Sequence, residues 1–211
     1  MKKNKFNHNA MKINYLNLNL MKTSKFFMSA FFCLTLLASC SGDDDDPTPP
    51  NEEEVITNVT LAFVNITDAN DVVTLLSVDP DGEDGPTAPD QTITGTFTAG
   101  ASYAATVDLF NALANEDITE EVTVDEPDEH FFVYAISGLD MTFTRSANDV
   151  IRADGNKLGF ETTWLANANS TGNITVQLFH ESGSVDDTNE FGTQTGGSAD
   201  VDITFIGVEI Q

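Results

Sequence analysis

From residue 55 onward the chain alternates apolar and polar side chains in short runs, and Gly, Pro, Asn and Asp separate the runs. A period of two places alternate side chains on one face of a strand, and those four residue types favour the turns between strands. The pattern predicts strands over 55–65, 72–78, 91–99, 102–111, 130–137, 141–146, 158–166, 172–181 and 200–210. Several faces follow directly. Ile174, Val176 and Leu178 share a face that ends at His180; Tyr103, Ala105, Val107 and Leu109 share another; Leu158, Phe160 and Trp164 share a third. Phe179 lies opposite the Ile174 face and is the aromatic best placed to line a second surface. Threonine runs such as TITGTFT suit half-exposed strands through their β-branching. One helical interruption is expected over 116–122, where Asp117 would cap a single turn with Glu120 three positions on. Nine strands with hardly a helix predict an all-β fold, a single antiparallel β-sandwich over 55–211.

The first 54 residues follow a different pattern. Residues 1–39 hold six of the nine Lys and Arg and none of the 34 Asp and Glu, which marks a targeting segment. Met21 opens a compact version of it, with Lys22 and Lys25 ahead of a 12-residue apolar run over 26–37; residues 1–20 look like surplus upstream sequence. Twelve helical residues reach about 18 Å against a hydrocarbon core of about 30 Å, so a signal peptide fits where a membrane span does not. The run closes on Leu37-Ala38-Ser39-Cys40. Residues 40–54, with seven acidic side chains and three prolines, cannot bury enough apolar surface to offset their ordering entropy and read as an extended tether.

Charge narrows the function classes. The chain from Cys40 carries 34 acidic side chains against Arg145, Arg152 and Lys157, a formal balance of −31. That balance repels nucleic acid and anionic lipid and favours divalent cations or a basic partner, while also keeping a surface protein soluble. Cys33 falls in the targeting segment, which leaves Cys40 as the single cysteine beyond it, too few for a disulfide or a Cys-ligated metal site.

Three constellations could carry chemistry. Asp79, Asp81, Glu83 and Asp84 lie on a glycine-containing loop that offers the oxygen donors calcium needs, although Pro86 and Pro89 interrupt any EF-hand pattern and the composition also suits an ordinary turn. The stretch ITEEVTVDEPDEHFF leads into a strand at His130, and His180 ends another. Were those strands neighbours, His130 and His180 would meet at one rim with Glu129 or Glu181 as a third ligand, a set suited to zinc, copper or iron; strand-end histidines bonded to backbone are the plainer alternative. A glycosidase carboxylate pair has no specificity among 34 carboxylates, and G-x-S-x-G, H-E-x-x-H and phosphate-loop motifs are absent. A non-enzymatic protein is expected, with a divalent cation, whether calcium, zinc or iron, as the one cofactor class its side chains suit.

The ending Leu37-Ala38-Ser39-Cys40 resembles the lipobox of bacterial lipoproteins. That resemblance implies a diacylglycerol on the Cys40 thiol, cleavage before Cys40 and acylation of the new amino terminus, a durable anchor because several chains insert. With SGDDDD, VITNVTLAFVN, ITEEVTVDEPDEHFF, VQLFHE and ADVDITFIGVEI, the chain resembles a family of small outer-membrane lipoproteins of Bacteroidota. Members are often labelled type 1 periplasmic-binding fold, which the strand pattern contradicts, since that fold alternates β and α units. The resemblance implies that Ser41, Asp43, Asp44, Asp45 and Asp46 direct export to the outer face of the outer membrane, and that a TonB-dependent transporter is a partner. Two functions follow as expectations: capture of a metal or metal complex for such a transporter, or a structural, adhesive surface module rigidified by calcium.

Overall fold

The computed structural model describes residues 54–82, 85–189 and 191–211; the expected signal segment, Cys40, Ser41, the aspartates at 43–46, Glu83 and Asp84 lie outside the described residues. Among the described residues there are twelve strands: β1 (Asn58–Asn65), β2 (Val72–Val78), β3 (Asp90–Thr94), β4 (Ser102–Asn111), β5 (Glu116–Asp117), β6 (His130–Ser137), β7 (Met141–Arg145), β8 (Glu161–Ala166), β9 (Ser170–His180), β10 (Ser184–Asp186), β11 (Thr193–Thr195) and β12 (Ser198–Ile210). The chain is all-β, and its sheets are open rather than closed into a barrel. One sheet runs β3-β2-β1-β4-β8-β7 with β5 added to β4; a second runs β12-β9-β6; β10 and β11 form a small ribbon. The ladders in these sheets are antiparallel.

Alternation sets the register. Tyr103, Ala105, Val107 and Leu109 of β4 are buried, as are Ile174, Val176 and Leu178 of β9, and these side chains join Phe63, Phe132, Tyr134, Trp164 and Phe205 in one core. At its centre Trp164 meets Phe63, Tyr134 and Phe143 edge-on or steeply tilted, with centroids 5.6, 5.9 and 4.7 Å away, the arrangement that ring quadrupoles favour.

The expected boundaries shift where glycine enters the left-handed region. The strand expected over 158–166 begins only at Glu161, because Gly159 takes φ 92° and its N–H turns to the Asp149 carboxylate at 2.7 Å. Phe160 is accordingly only partly buried, although Leu158 and Trp164 are fully so. The expected helical turn also moves. Glu116 and Asp117 pair with β4, and Asp117 accepts from the Thr119 amide ahead of a turn over Glu121–Asp125 that closes as a π-turn, Glu126 N donating to Glu121 O at 2.8 Å.

A polar tie locks the β1–β2 corner to the start of β4. The Tyr103 hydroxyl donates to Asp71 Oδ2 at 2.7 Å and accepts from Thr98 N at 2.8 Å. Tyr103→Phe should therefore cost about 0.5–1.5 kcal/mol, the net worth of a hydrogen bond whose partners, Asp71 and the Thr98 amide, can turn to water. Chemical denaturation checks this, and an unchanged midpoint would show the tie to be idle.

Candidate metal centre

The histidines terminate the buried faces of two neighbouring strands. Phe132 pairs with Leu178, Tyr134 with Val176, and the same register brings His130 opposite His180. Their rings stack with centroids 4.9 Å apart and planes 11° from parallel, and both residues are buried. The core face thus ends in imidazoles.

Two carboxylates complete the cluster. Asp200 enters through a β-bulge: Ala199 pairs with Phe179 and Val201 with Leu178, so Asp200 is the extra residue, and it is buried beside its apolar neighbour. A bulge re-aims a side chain that strict alternation would send to the other face. Glu54 comes from the segment before β1, and its side chain is only 3 % exposed. One ligand atom from each of Glu54, His130, His180 and Asp200 lies within 4.8 Å of all the others. His130 Nε2 stands 3.1 Å from Glu54 Oε2 and 3.8 Å from Asp200 Oδ2, and His180 Nδ1 stands 3.8 Å from Glu54 Oε2.

The tautomer of His130 follows from its other nitrogen. Nδ1 is 3.0 Å from the Glu126 carbonyl oxygen, which can only accept, so Nδ1 carries the proton. In the neutral ring Nε2 then presents a lone pair to carboxylate oxygens. Nε2 and Glu54 Oε2, close as they are, complete no hydrogen bond. Two buried acceptors facing one another need a cation between them, either a proton or a metal ion. A histidine that donates its far nitrogen to a backbone carbonyl is the arrangement that orients metal-bound imidazole.

The electrostatics agree. Burial pulls the His130 pKa down, but Glu54, the Glu126 carbonyl and Asp200 outweigh it and hold the ring above its ordinary 6.5. Burial pushes Glu54 up, but its contacts with His130 and the His180 ring outweigh that and hold it below its ordinary 4.5. His130 therefore stabilises the metal-free fold fully below about pH 6.5, and that contribution is lost as pH rises through the higher folded value. Glu54 contributes above about pH 4.5 and loses its contribution as pH falls through the lower folded value. In chelator, the melting temperature should fall as pH rises above about 6.5, and His130→Gln should flatten that slope. A wild-type melting temperature that rises over this range contradicts the assignment.

More carboxylates flank the four. Glu126, Glu129 and His180 converge within the same limit, as do Glu54, Glu121 and Glu126. The π-turn supplies both ends of the last group, since it closes between Glu121 and Glu126. Burial, then the Glu54, Glu126 and Glu116 carboxylates, push Glu121 upward. Asp200 also lines a cavity of about 410 Å³ with Ile56, Thr57, Asp79, Pro86 and Thr87.

Of the expected ligands, Glu129 lies 3.5 Å from His180 Nε2, whereas among the described residues Glu181 joins none of the converging groups. Glu181 takes φ 49° just past the end of β9, and its exposed side chain departs from the extended path that placement at the rim assumed. In the expected calcium loop Asp81 Oδ2 accepts from the Thr87 hydroxyl at 2.8 Å, which holds its carboxyl below the ordinary range, and Asp79 Oδ1 accepts from Asp81 N. Among the described residues neither Asp79 nor Asp81 belongs to a converging group. Sequence reasoning missed Glu54 and Asp200 as ligands. For Asp200 the available signal was the break in alternation at Ala199-Asp200-Val201; for Glu54 it was only proximity to the first strand. Compared with family models, curated proteins and solved structures, the chain matches none of them.

Proposed function

We propose that this chain is a non-enzymatic, lipid-anchored outer-membrane protein whose β-domain, its two larger sheets packed as a sandwich, captures a divalent transition-metal ion for a TonB-dependent transporter. One observation carries the binding: His130 Nε2, its tautomer fixed by the Glu126 carbonyl, faces Glu54 and Asp200 beside the stacked ring of His180. A tetrahedral shell with bonds of about 2.0–2.2 Å sets ligand atoms roughly 3.3–3.6 Å apart. The separations of 3.1 and 3.8 Å bracket that spacing. Two imidazoles and two carboxylates suit zinc or ferrous iron better than calcium, which takes oxygen donors.

The anchor reading is supported by the lipobox at Leu37–Cys40 and the aspartates at 43–46. Capture also suits the formal balance of −31 beyond Cys40, which concentrates cations at the surface. Isothermal titration with zinc and ferrous iron tests the binding. A calcium-dependent rise in melting temperature with no response to zinc would favour the structural, adhesive module instead. Protease added to intact cells should degrade the protein; survival until lysis would place it inside.

A further inference from the structure

His180 differs from His130 in that both of its ring nitrogens face carboxylates. Nδ1 is 3.8 Å from Glu54 Oε2 on one side, and Nε2 is 3.5 Å from Glu129 Oε2 on the other. Glu126, Glu129 and His180 form a converging group of their own, in which Glu129 is the residue placed against Nε2, and the Glu126 Oε2 atom is buried without a hydrogen bond. Glu54 also touches a third group with Glu121 and Glu126. Five carboxylates therefore gather about two imidazoles. A single divalent ion leaves most of that negative charge unbalanced in a partly buried site, whereas two leave about a third of it once the bridging ring is counted as an anion.

We infer that the centre holds two divalent ions, one on His130, Glu54, Asp200 and His180 Nδ1, the second on His180 Nε2, Glu129 and Glu126, with the His180 ring bridging them. The inference rests on the metal-capture reading. A neutral imidazole has one lone pair and one N–H. Binding an ion at each nitrogen breaks the remaining N–H bond, releases that proton to water and uses the freed electron pair for the second metal bond. The second site is the more open of the two, since the Glu129 side chain is 42 % exposed while that of His130 is fully buried. This makes the Glu129 side the entry, and the second ion the more easily exchanged.

The test is stoichiometric. The full chain, saturated with zinc and desalted, should carry two equivalents of zinc by mass spectrometric metal analysis. The Glu126→Gln/Glu129→Gln double variant, which keeps side-chain size and leaves the first set intact, should carry one. Titration in buffers of different ionisation enthalpy should show one extra proton released with the second equivalent. With copper(II) in place of zinc, the two-ion form should give a spin-coupled pair by electron paramagnetic resonance rather than two independent spectra. One equivalent in the wild-type chain overturns the second site and leaves metal capture standing, while none overturns both. Two equivalents retained by the double variant, or two uncoupled copper spectra, overturn the assignment of Glu126, Glu129 and bridging His180.

Discussion

On the proposed metal-capture reading, His130→Ala should remove tight zinc binding and with it the thermal stabilisation expected from zinc. A ligand at 100 times its Kd stabilises the folded state by about 2.7 kcal/mol. For a domain of this size each kcal/mol shifts the melting temperature by about 2–4 °C, so saturating zinc should raise the wild-type value by roughly 5–11 °C. His130 supplies a nitrogen whose lone pair is fixed by its own tautomer and which faces both Glu54 and Asp200. Losing it should weaken zinc more than the roughly 10–100-fold that changes in outer-shell partners produce. The metal-free variant should also lose stability near neutral pH, because Glu54 and Asp200 would remain together without the positive ring that offsets them. Differential scanning fluorimetry with and without zinc separates these effects. A variant with a wild-type zinc shift would remove His130 from the centre.

The strands were legible because burial follows a period of two. The buried faces of β4 and β9 are those that alternation marks out, and the meeting of His130 with His180 extends the register of Phe132 with Leu178 by one step on the same face. The carboxylates were legible only in part, for physical reasons that differ. Glu54 sits among residues whose local composition suits a solvated tether, and nothing local signals that its carboxylate reaches two imidazoles from distant strands. Asp200 escapes because a bulge breaks the parity that assigns faces, so it and Val201 are both buried. Glu121 and Glu126 were visible as part of an acidic run, but a five-residue turn rather than an ordinary helical one sets which members of the run converge. Glu181 shows the opposite failure: extending strand parity one residue beyond β9 ignored a left-handed backbone there.

The scarcity of positive charge leads to the second large effect. Of the three basic residues beyond Cys40, Arg145 and Arg152 are buried and bond to backbone carbonyls near β6. Arg145 donates to the carbonyls of Phe132 and Lys157 and lies over the Phe131 ring with its guanidinium carbon 4.6 Å from the centroid. Arg152 donates to the carbonyls of Pro127 and His130 while pairing with Asp154. Nη1 donates to both carbonyls while Nε pairs with Asp154, so one planar guanidinium ties the turn before β6 to the backbone of His130 with its orientation fixed from a second nitrogen, which a lysine ammonium lacks. Arg152→Ala should strand both acceptors and cost about 2–4 kcal/mol, at 1–3 kcal/mol for each buried group left unsatisfied and with some relief from entering water. Because the His130 carbonyl is one of the two, the ring should also lose its fixed position, and zinc affinity should fall about 10–100-fold. Arg152→Lys should recover part of the stability but little of the affinity. Measuring the zinc Kd well below the melting temperature of each variant distinguishes positioning from simple destabilisation. An Arg152→Ala protein that is less stable yet binds zinc with wild-type affinity would confine Arg152 to the fold.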